Sequence, residues 1–167
     1  MVIVGIDPGF AIVGFGVLKY EGNKFGVLDC GRITTEAGVA FPLRLLTIHE
    51  ELAAIYGRYK PDCVAVEKLY FNTNSKTAIS VAQGRGAILV TSALCGAQVY
   101  EYTPLQIKMA VTGYGQADKA QIRYMVKVLL NIQGALKSDD VADALAAAVC
   151  HAHTAGIEKA ARSARGI

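Results

Sequence analysis

Residues 2–9 of the chain are Val2-Ile3-Val4-Gly5-Ile6-Asp7-Pro8-Gly9, a continuous apolar run that ends in a single carboxylate. The run is rich in β-branched residues and lacks polar alternation, which is typical of a central strand covered on both faces. Asp7 therefore falls where the strand ends, and Pro8-Gly9 turns the chain away. A carboxylate beside a core is costly without a partner, and a metal ion would supply one. An aspartate that simply opens a Pro-Gly turn would give the same pattern.

The chain has 167 residues, of which 53% are hydrophobic, and this predicts one compact domain. No apolar run approaches the roughly 18 residues that span a membrane, and the N-terminus lacks the features of a secretory signal. We therefore expect a soluble, cytoplasmic protein. The four cysteines are isolated from one another, which indicates buried thiols rather than a disulfide framework or a zinc site.

The pattern of the rest of the chain predicts an α/β architecture with three strands before the first helix. Tyr20-Glu21-Gly22-Asn23 joins two apolar runs, 12–19 and 24–33, into a hairpin. A second buried strand, 63–66, also ends in an acid, Glu67. A further strand is predicted at 97–102, and helices at 42–59, 74–94, 104–111, 118–130 and 138–155. The first helix is expected to bury Leu43, Leu46, Leu52, Ile55 and Tyr56.

This organisation predicts a single domain over residues 1–156 and a basic, flexible C-terminal tail over 157–167. The net charge is only +3, which by itself indicates no nucleic-acid partner. Most of the excess positive charge lies in residues 101–137, a segment that includes Lys108 and Lys119. A basic surface that feeds an acidic site and a solvated helix face would both give this distribution.

Two further acids, Asp140 and Asp143, stand at the start of the last predicted helix and share a face at a spacing of i and i+3. Asp139 and Asp143, at i and i+4, would also share a face, so periodicity does not choose between Asp139 and Asp140. Carboxylates converging from two strand ends and this helix would form an oxygen site for a hard divalent cation such as Mg²⁺ or Mn²⁺. The helix dipole alone also favours acids at that N-terminus, but it explains neither Asp7 nor Glu67.

Four motifs give the chain a resemblance to a known family. They are G-I-D-P-G at 5–9, A-V-E-K at 65–68, Q-G-R-G-A at 83–87 and D-V-A-D-A-L-A at 140–146. From residue 1 to about 155 the chain resembles the RuvC family of Holliday junction resolvases. The resemblance implies an RNase H-like fold, a five-stranded mixed sheet flanked by helices. It also implies a homodimer that makes paired cuts in a four-way DNA junction during recombination and repair, with RuvA and RuvB branch-migration proteins as partners.

The resemblance also implies roles for individual residues. The family's catalytic, metal-binding acids fall on Asp7, Glu67, Asp140 and Asp143, and its D-x-x-D-A spacing selects Asp140 over Asp139. Two lysines that the family uses near DNA fall on Lys108 and Lys119. A family aromatic that stacks on an unpaired base falls on Tyr70, although the Tyr-Phe pair here makes Phe71 the alternative. Arg85, within Q-G-R-G-A, is a further candidate for DNA contact.

Such a set of acids supports metal-assisted phosphodiester hydrolysis, with two ions that activate a water and stabilise the leaving oxygen. We expect Mg²⁺, with Mn²⁺ able to substitute. Asp7 is the expected bridging ligand, with Glu67 on one ion and the Asp140/Asp143 pair on the other. His151 and His153 lie roughly 12 Å or more along the helix from Asp143, so we interpret them as packing or solvent-facing residues rather than ligands.

The 74–94 helix is the predicted dimer interface, because its apolar surplus and its interior Gly84 and Gly86 suit close contact with another element or subunit. Three other functions fit parts of the sequence. The first loop also resembles that of actin-like sugar kinases, but those enzymes need two such domains. A junction-binding module without catalysis would lack one of the acids, and all four are present. An RNase H-like nuclease that acts on RNA remains an alternative.

Overall fold

The computed structural model describes residues 1–69, 75–136 and 138–164, and only the backbone of 75–76 and 157–164. Within these ranges the chain forms five strands and five helices. The elements are β1 (Val2–Asp7), β2 (Ile12–Glu21), β3 (Lys24–Thr34), α1 (Phe41–Tyr59), β4 (Cys63–Glu67), α2 (Ser75–Leu94), β5 (Gln98–Tyr102), α3 (Pro104–Thr112), α4 (Lys119–Leu129) and α5 (Asp139–Ala164).

The strands form one sheet in the order β3-β2-β1-β4-β5. The first three strands are antiparallel neighbours, whereas β4 runs parallel to both β1 and β5. The predicted five-stranded mixed sheet is therefore confirmed, with β1 at its centre. The hairpin between β2 and β3 turns at Gly22 and Asn23, whose φ angles of 55° and 60° lie in the left-handed region that glycine and asparagine tolerate best.

Two apolar layers cover the sheet. On one face, alternate residues of β1 such as Val4 and Ile6 pack with the layer formed by α1 and α2. On the other face, Ile3 packs with residues of α3, α4 and α5. Strands buried on both faces need no polar alternation, which explains why β1 and β4 have continuous apolar sequences. None of the helices in the described ranges is long and apolar enough to cross a membrane.

The inner face of α1 differs from the expectation. Ile48, Leu52 and Tyr56 are the buried residues of this helix, whereas Leu43 and Leu46 are exposed. At 100° per residue, Leu43 and Leu46 lie about 140° and 160° around the helix from Ile48, so the stripe that faces the sheet excludes them. The prediction that Leu43 and Leu46 are buried is therefore wrong, because hydrophobic type alone does not specify the angular position of a residue on the helix.

The last helix approaches the sheet closely because the strands beneath it carry glycines. A Cβ added to Gly5 would lie 1.9 Å from the carbonyl oxygen of Ala144, and one added to Gly14 would lie 2.1 Å from that of Asp140. These contacts are to backbone, which cannot turn aside as a side chain would. The glycines therefore set the depth at which α5 packs, and this in turn sets the position of its first turn.

The helix α5 also continues past its predicted end at Ala155 to Ala164. Gly156 does not end it, and the residues beyond include alanine, lysine and arginine, which are strong helix formers. The flexible tail over residues 157–167 and the domain boundary at residue 156 stay predictions.

Candidate active site

Two strand ends place the first two acids side by side. The strands β1 and β4 are parallel and pair Ile6 with Val66, so Asp7 and Glu67 follow at the same edge of the sheet. Side chains alternate between the faces of a strand. Ile3 and Ala65 belong to the layer on the α5 side, and Asp7 and Glu67 share that side because each lies an even number of residues further on.

The N-terminal part of α5 brings the other two acids to the same place. Ser138 caps this turn, because its hydroxyl accepts the Val141 N–H at 3.3 Å. Gly14 is the partner of Asp7 in the β1–β2 ladder, and it lies directly beneath the backbone of Asp140. Asp140 and Asp143 therefore stand over the end of β1. Sequence reasoning missed Gly14 as a residue that positions the site, although its place in a strand interior was a usable signal.

Asp139 is oriented differently from its neighbour. Its Oδ1 lies 2.8 Å from Nη2 of Arg123, which joins the start of α5 to α4. Ser138, and not Asp139, accepts the hydrogen bond that caps the start of the helix.

Burial and mutual repulsion set the charge state of the acids. The pKa of Asp7 is raised to about 7, first by burial and then by the negative charges of Asp143, Glu67 and Asp140. The pKa values of Glu67 and Asp143 are also raised, again mainly by burial. These carboxylates therefore share one electrostatic field, in which a positive charge would stabilise their ionised forms.

Two lysines supply the nearest positive charge. The Nζ atom of Lys119 lies 3.6 Å from Oδ2 of Asp143, and the pKa of Lys119 is raised mainly by that carboxylate. Lys108 also acts on Glu67, where its positive charge partly offsets the rise in the pKa of that carboxyl. A cleft of about 270 Å³ is lined by both lysines and by Glu67, Pro104, Ile107, Ala117, Asp118, Ile122 and Asp143. The predicted basic segment thus meets two of the predicted acids in one cleft.

The acids fit a hard divalent cation by their chemistry. All four donors are carboxylates, the ligands that Mg²⁺ and Mn²⁺ accept. The pKa of Asp7 is raised first by burial and then by the neighbouring carboxylates, and a bound cation would neutralise that negative charge. In the described ranges, however, no three His, Cys, Asp or Glu side chains stand in position to hold an ion as they are. Coordination therefore requires the side chains to turn toward a common point.

Comparison with known proteins identifies the family. The family model described as crossover junction endodeoxyribonuclease RuvC matches residues 3–151. The chain belongs to the RuvC family. The RuvC protein of Alkaliphilus oremlandii is 56% identical over 154 residues, 92% of this chain and 94% of the relative. The RuvC protein of Clostridioides difficile is 48% identical over 166 residues, 99% of this chain and 98% of the relative.

Solved RuvC structures agree with this assignment. Thermus thermophilus RuvC has a TM-score of 0.88 at 35% identity, and the match covers 95% of this chain and 97% of that one. The same protein in complex with a Holliday junction substrate has a TM-score of 0.89 at 34% identity, with 95% and 96% covered. The yeast mitochondrial resolvase Ydc2 shares the fold, with a TM-score of 0.72 at 13% identity and coverage of 96% and 81%. The RNase H-like fold is confirmed, and the sugar-kinase alternative is wrong.

All of the residues assigned to DNA contact, Lys108 and Lys119 included, remain predictions. Tyr70 and Phe71 lie outside the described residues. The guanidinium of Arg85 on α2 forms an ion pair with Glu101 on β5, and within the described ranges its buried Nε has no hydrogen-bond partner. This position ties α2 to the sheet, so contact with DNA would require the side chain to exchange that partner.

The two histidines of α5 contact neighbouring elements of the protein. The Nδ1 atom of the buried His151 lies 2.7 Å from the hydroxyl of Tyr102. Nδ1 of His153 lies 3.1 Å from the carbonyl oxygen of Ala110. Both contacts agree with the packing interpretation and link α5 to β5 and α3.

Proposed function

We propose that this chain resolves four-way DNA junctions by metal-dependent hydrolysis at Asp7, Glu67, Asp140 and Asp143. Its family defines it as a crossover junction endodeoxyribonuclease, and a RuvC protein of the same fold has been solved with a Holliday junction substrate. The observation that carries the site assignment is the meeting of Asp7 and Glu67 at one edge of the sheet, with Asp140 directly above Gly14. The pKa of Asp7 is raised there to about 7, first by burial and then by the negative charges of Asp143, Glu67 and Asp140. Surface acids without a common site do not perturb one another in this way.

Divalent cations, when bound, lower the pKa of an attacking water and stabilise the leaving oxygen of an in-line displacement. We propose two Mg²⁺ ions per site, with Mn²⁺ able to substitute. The charges of all three other acids act on Asp7, so it is the proposed shared ligand. Glu67 would hold one ion, and Asp140 with Asp143 the other. The chain itself supplies oxygen donors and alignment, and no nucleophilic serine or cysteine is required.

Lys108 and Lys119 are proposed to hold the phosphates of the strand to be cut. Both line the cleft that contains Glu67 and Asp143, and cationic side chains supply most of the affinity for a nucleic-acid backbone. Tyr70, with Phe71 as the alternative, is the proposed stacking residue near the crossover, and Arg85 a further DNA contact. We also propose RuvA and RuvB as partners and a cytoplasmic location, where the enzyme would meet chromosomal junctions.

A homodimer is proposed on the exposed face of α2. Ile79, Val90 and Leu94 of this helix are 59–72% exposed, and together with Gly86 they lie on one stripe. The two interior glycines differ in role. A Cβ on Gly84 would lie 2.8 Å from the carbonyl oxygen of Gly9, so Gly84 packs within its own chain, whereas nothing lies within 4 Å of a Cβ on Gly86. Gly86 therefore leaves room for a second copy.

The function is tested with three substrates and one variant. Wild-type protein with Mg²⁺ is expected to cut a synthetic four-way DNA junction, and to leave a linear duplex and a structured RNA intact. Asp7→Asn should lower the cutting rate at least about a hundredfold, because it removes a proposed shared ligand. It should bind the junction as well as wild type does, because phosphate contacts by lysine and arginine supply the affinity.

Circular dichroism and a gel shift on the same preparations provide the controls. Cutting of RNA in preference to the junction would support the RNA nuclease instead. A near-normal rate for a folded Asp7→Asn protein would remove Asp7 from the proposed ligands.

A further inference from the structure

The loop between α3 and α4 presents one exposed aromatic ring on a fixed backbone. Tyr114, in the sequence Thr112-Gly113-Tyr114-Gly115, has 55% of its surface exposed. The Thr112 hydroxyl accepts the Tyr114 N–H at 3.0 Å and donates to the Lys108 carbonyl at 2.8 Å. Gly113 ends α3 with a φ of 70°, and its N–H donates to the Met109 carbonyl at 3.0 Å. The loop is thus tied to the last turn of α3.

A side chain from the first turn of α3 covers the other side of the loop. A Cβ on Gly115 would lie 2.4 Å from Cδ1 of Leu105, so the loop backbone lies against that side chain. The carbonyl of Tyr114 accepts the Ala117 N–H at 3.2 Å. An aromatic on such a backbone loses little conformational entropy when it binds a partner. Burial of this exposed ring in a complex would therefore be favourable.

The position of the loop indicates the partner. The loop joins the two helices that supply Lys108 and Lys119 to the active-site cleft, and Ala117, which follows it, also lines that cleft. A DNA strand held by both lysines must pass near the loop that connects them. Unstacked bases bind aromatic side chains regardless of sequence, because every base has a π-face.

We propose that the ring of Tyr114 stacks on an unpaired base of the junction strand that is bound in the cleft. The proposal rests on the proposed function and adds a contact separate from the one assigned to Tyr70, which precedes α2 in the chain. Tyr114 is here a DNA-binding residue and takes no part in the hydrolysis. The neighbouring exposed side chains of Leu105 and Met109 would also suit a partner protein, which the experiment distinguishes.

The absence of tryptophan from the chain allows a direct test. Tyr114→Trp creates a protein with a single tryptophan, whose fluorescence is quenched when the indole stacks on a base. Tyr124→Trp is the matched control, because Tyr124 on α4 is 67% exposed and lies about 140° around the helix from Lys119. Each protein is titrated with a four-way junction in chelator, so that DNA is bound without being cut. We expect quenching for Tyr114→Trp and none for Tyr124→Trp.

Binding constants give a second measurement. Tyr114→Ala should weaken junction binding about fivefold or more, the low end for one lost base stack, while Tyr114→Phe stays within about twofold of wild type. Tyr124→Ala should bind as wild type does.

An unquenched Tyr114→Trp protein that still shifts the junction would overturn the proposal, as would a wild-type binding constant for Tyr114→Ala. Either result would leave the Tyr114 surface to a partner protein, while junction cutting by the wild type would keep the proposed function. Failure of the wild type to bind or cut junctions would overturn both.

Discussion

At the scale of single residues, Asp7 shows how a site can oppose the stability of its own fold. The pKa of this carboxyl is about 7, raised from 3.8 chiefly by burial. A carboxyl whose pKa is higher in the folded than in the unfolded state favours folding only while it is protonated. Its contribution is fully present below pH 3.8 and is lost as the pH rises through 7. Glu67 and Asp143, whose pKa values are also raised, act in the same direction.

The pH dependence of stability tests this account. In chelator, the melting temperature of the wild type should fall between pH 5 and pH 8 by about 5 °C or more relative to that of Asp7→Asn, which cannot ionise at this position. Added Mg²⁺ should raise the wild-type melting temperature more at pH 8 than at pH 6, because the ligands must be deprotonated to bind it. If thermal unfolding gives parallel pH profiles for the two proteins, the Asp7 carboxyl does not have the raised pKa that its burial implies.

Asp139 and Asp140 form a second test at this scale. The helical period could not choose between them, because both share a face with Asp143. In the structure Asp139 pairs with Arg123 at 2.8 Å, and Asp140 acts on the charge of Asp7. We expect Asp140→Asn to lose Mg²⁺-dependent cutting, and Asp139→Asn to cost little activity and at most about 1 kcal/mol of stability. Junction cutting measures the activity of each variant, and urea unfolding measures its stability. An active Asp140→Asn beside an inactive Asp139→Asn would show that the motif was assigned in the wrong register.

At the scale of elements, the sequence predicted the strands and helices, which short-range patterns of hydrophobic residues determine. The apolar runs before Asp7 and Glu67 predicted two buried strands, and β1 and β4 end at those acids. The distance between α5 and the sheet was not predictable, because it depends on Gly5 and Gly14 meeting a helix more than a hundred residues away in sequence. The prediction that Leu43 and Leu46 are buried was wrong for a related reason, since hydrophobic type alone does not specify which stripe of a helix meets the sheet.

The glycine beneath Asp140 allows this long-range contact to be tested. In Gly14→Ala the new Cβ would lie 2.1 Å from the carbonyl oxygen of Asp140, so the helix must lift from the sheet. We expect a loss of about 1–3 kcal/mol, as for overpacking in a core. Cutting should fall further than stability does, because the acids of α5 move away from Asp7. Gly26→Ala is the control, since the nearest atoms to its Cβ would be 4.0 Å away. Equal activity and unfolding midpoints for the two variants would contradict the role of Gly14.

At the scale of the whole molecule, the candidate active site lies on one side of the sheet and the proposed dimer interface on the other. The side of α3, α4 and α5 carries the acids and the cleft lysines, whereas α1 and α2 cover the other side. A four-way junction has two opposed strands to be cut, so two active sites related by two-fold symmetry are the simplest way to make paired cuts. The exposed stripe of α2 can bury apolar surface in such a dimer without covering the cleft.

A charge placed in that stripe tests the dimer. Val90→Arg should disrupt the proposed dimer and leave the protein monomeric at micromolar concentration, because an arginine in an apolar interface is buried without a partner. Val128→Arg is matched in chemistry and exposure, since Val128 on α4 is 54% exposed and Val90 59%, and it should remain dimeric. Sedimentation equilibrium gives the mass, and a junction labelled on both cut strands reports whether the cuts are paired. The Val90→Arg monomer should nick single strands at best, because each copy carries one set of acids. A wild-type protein that sediments as a monomer yet makes paired cuts would show that two-fold symmetry is not needed, and the exposed face of α2 would then require another explanation.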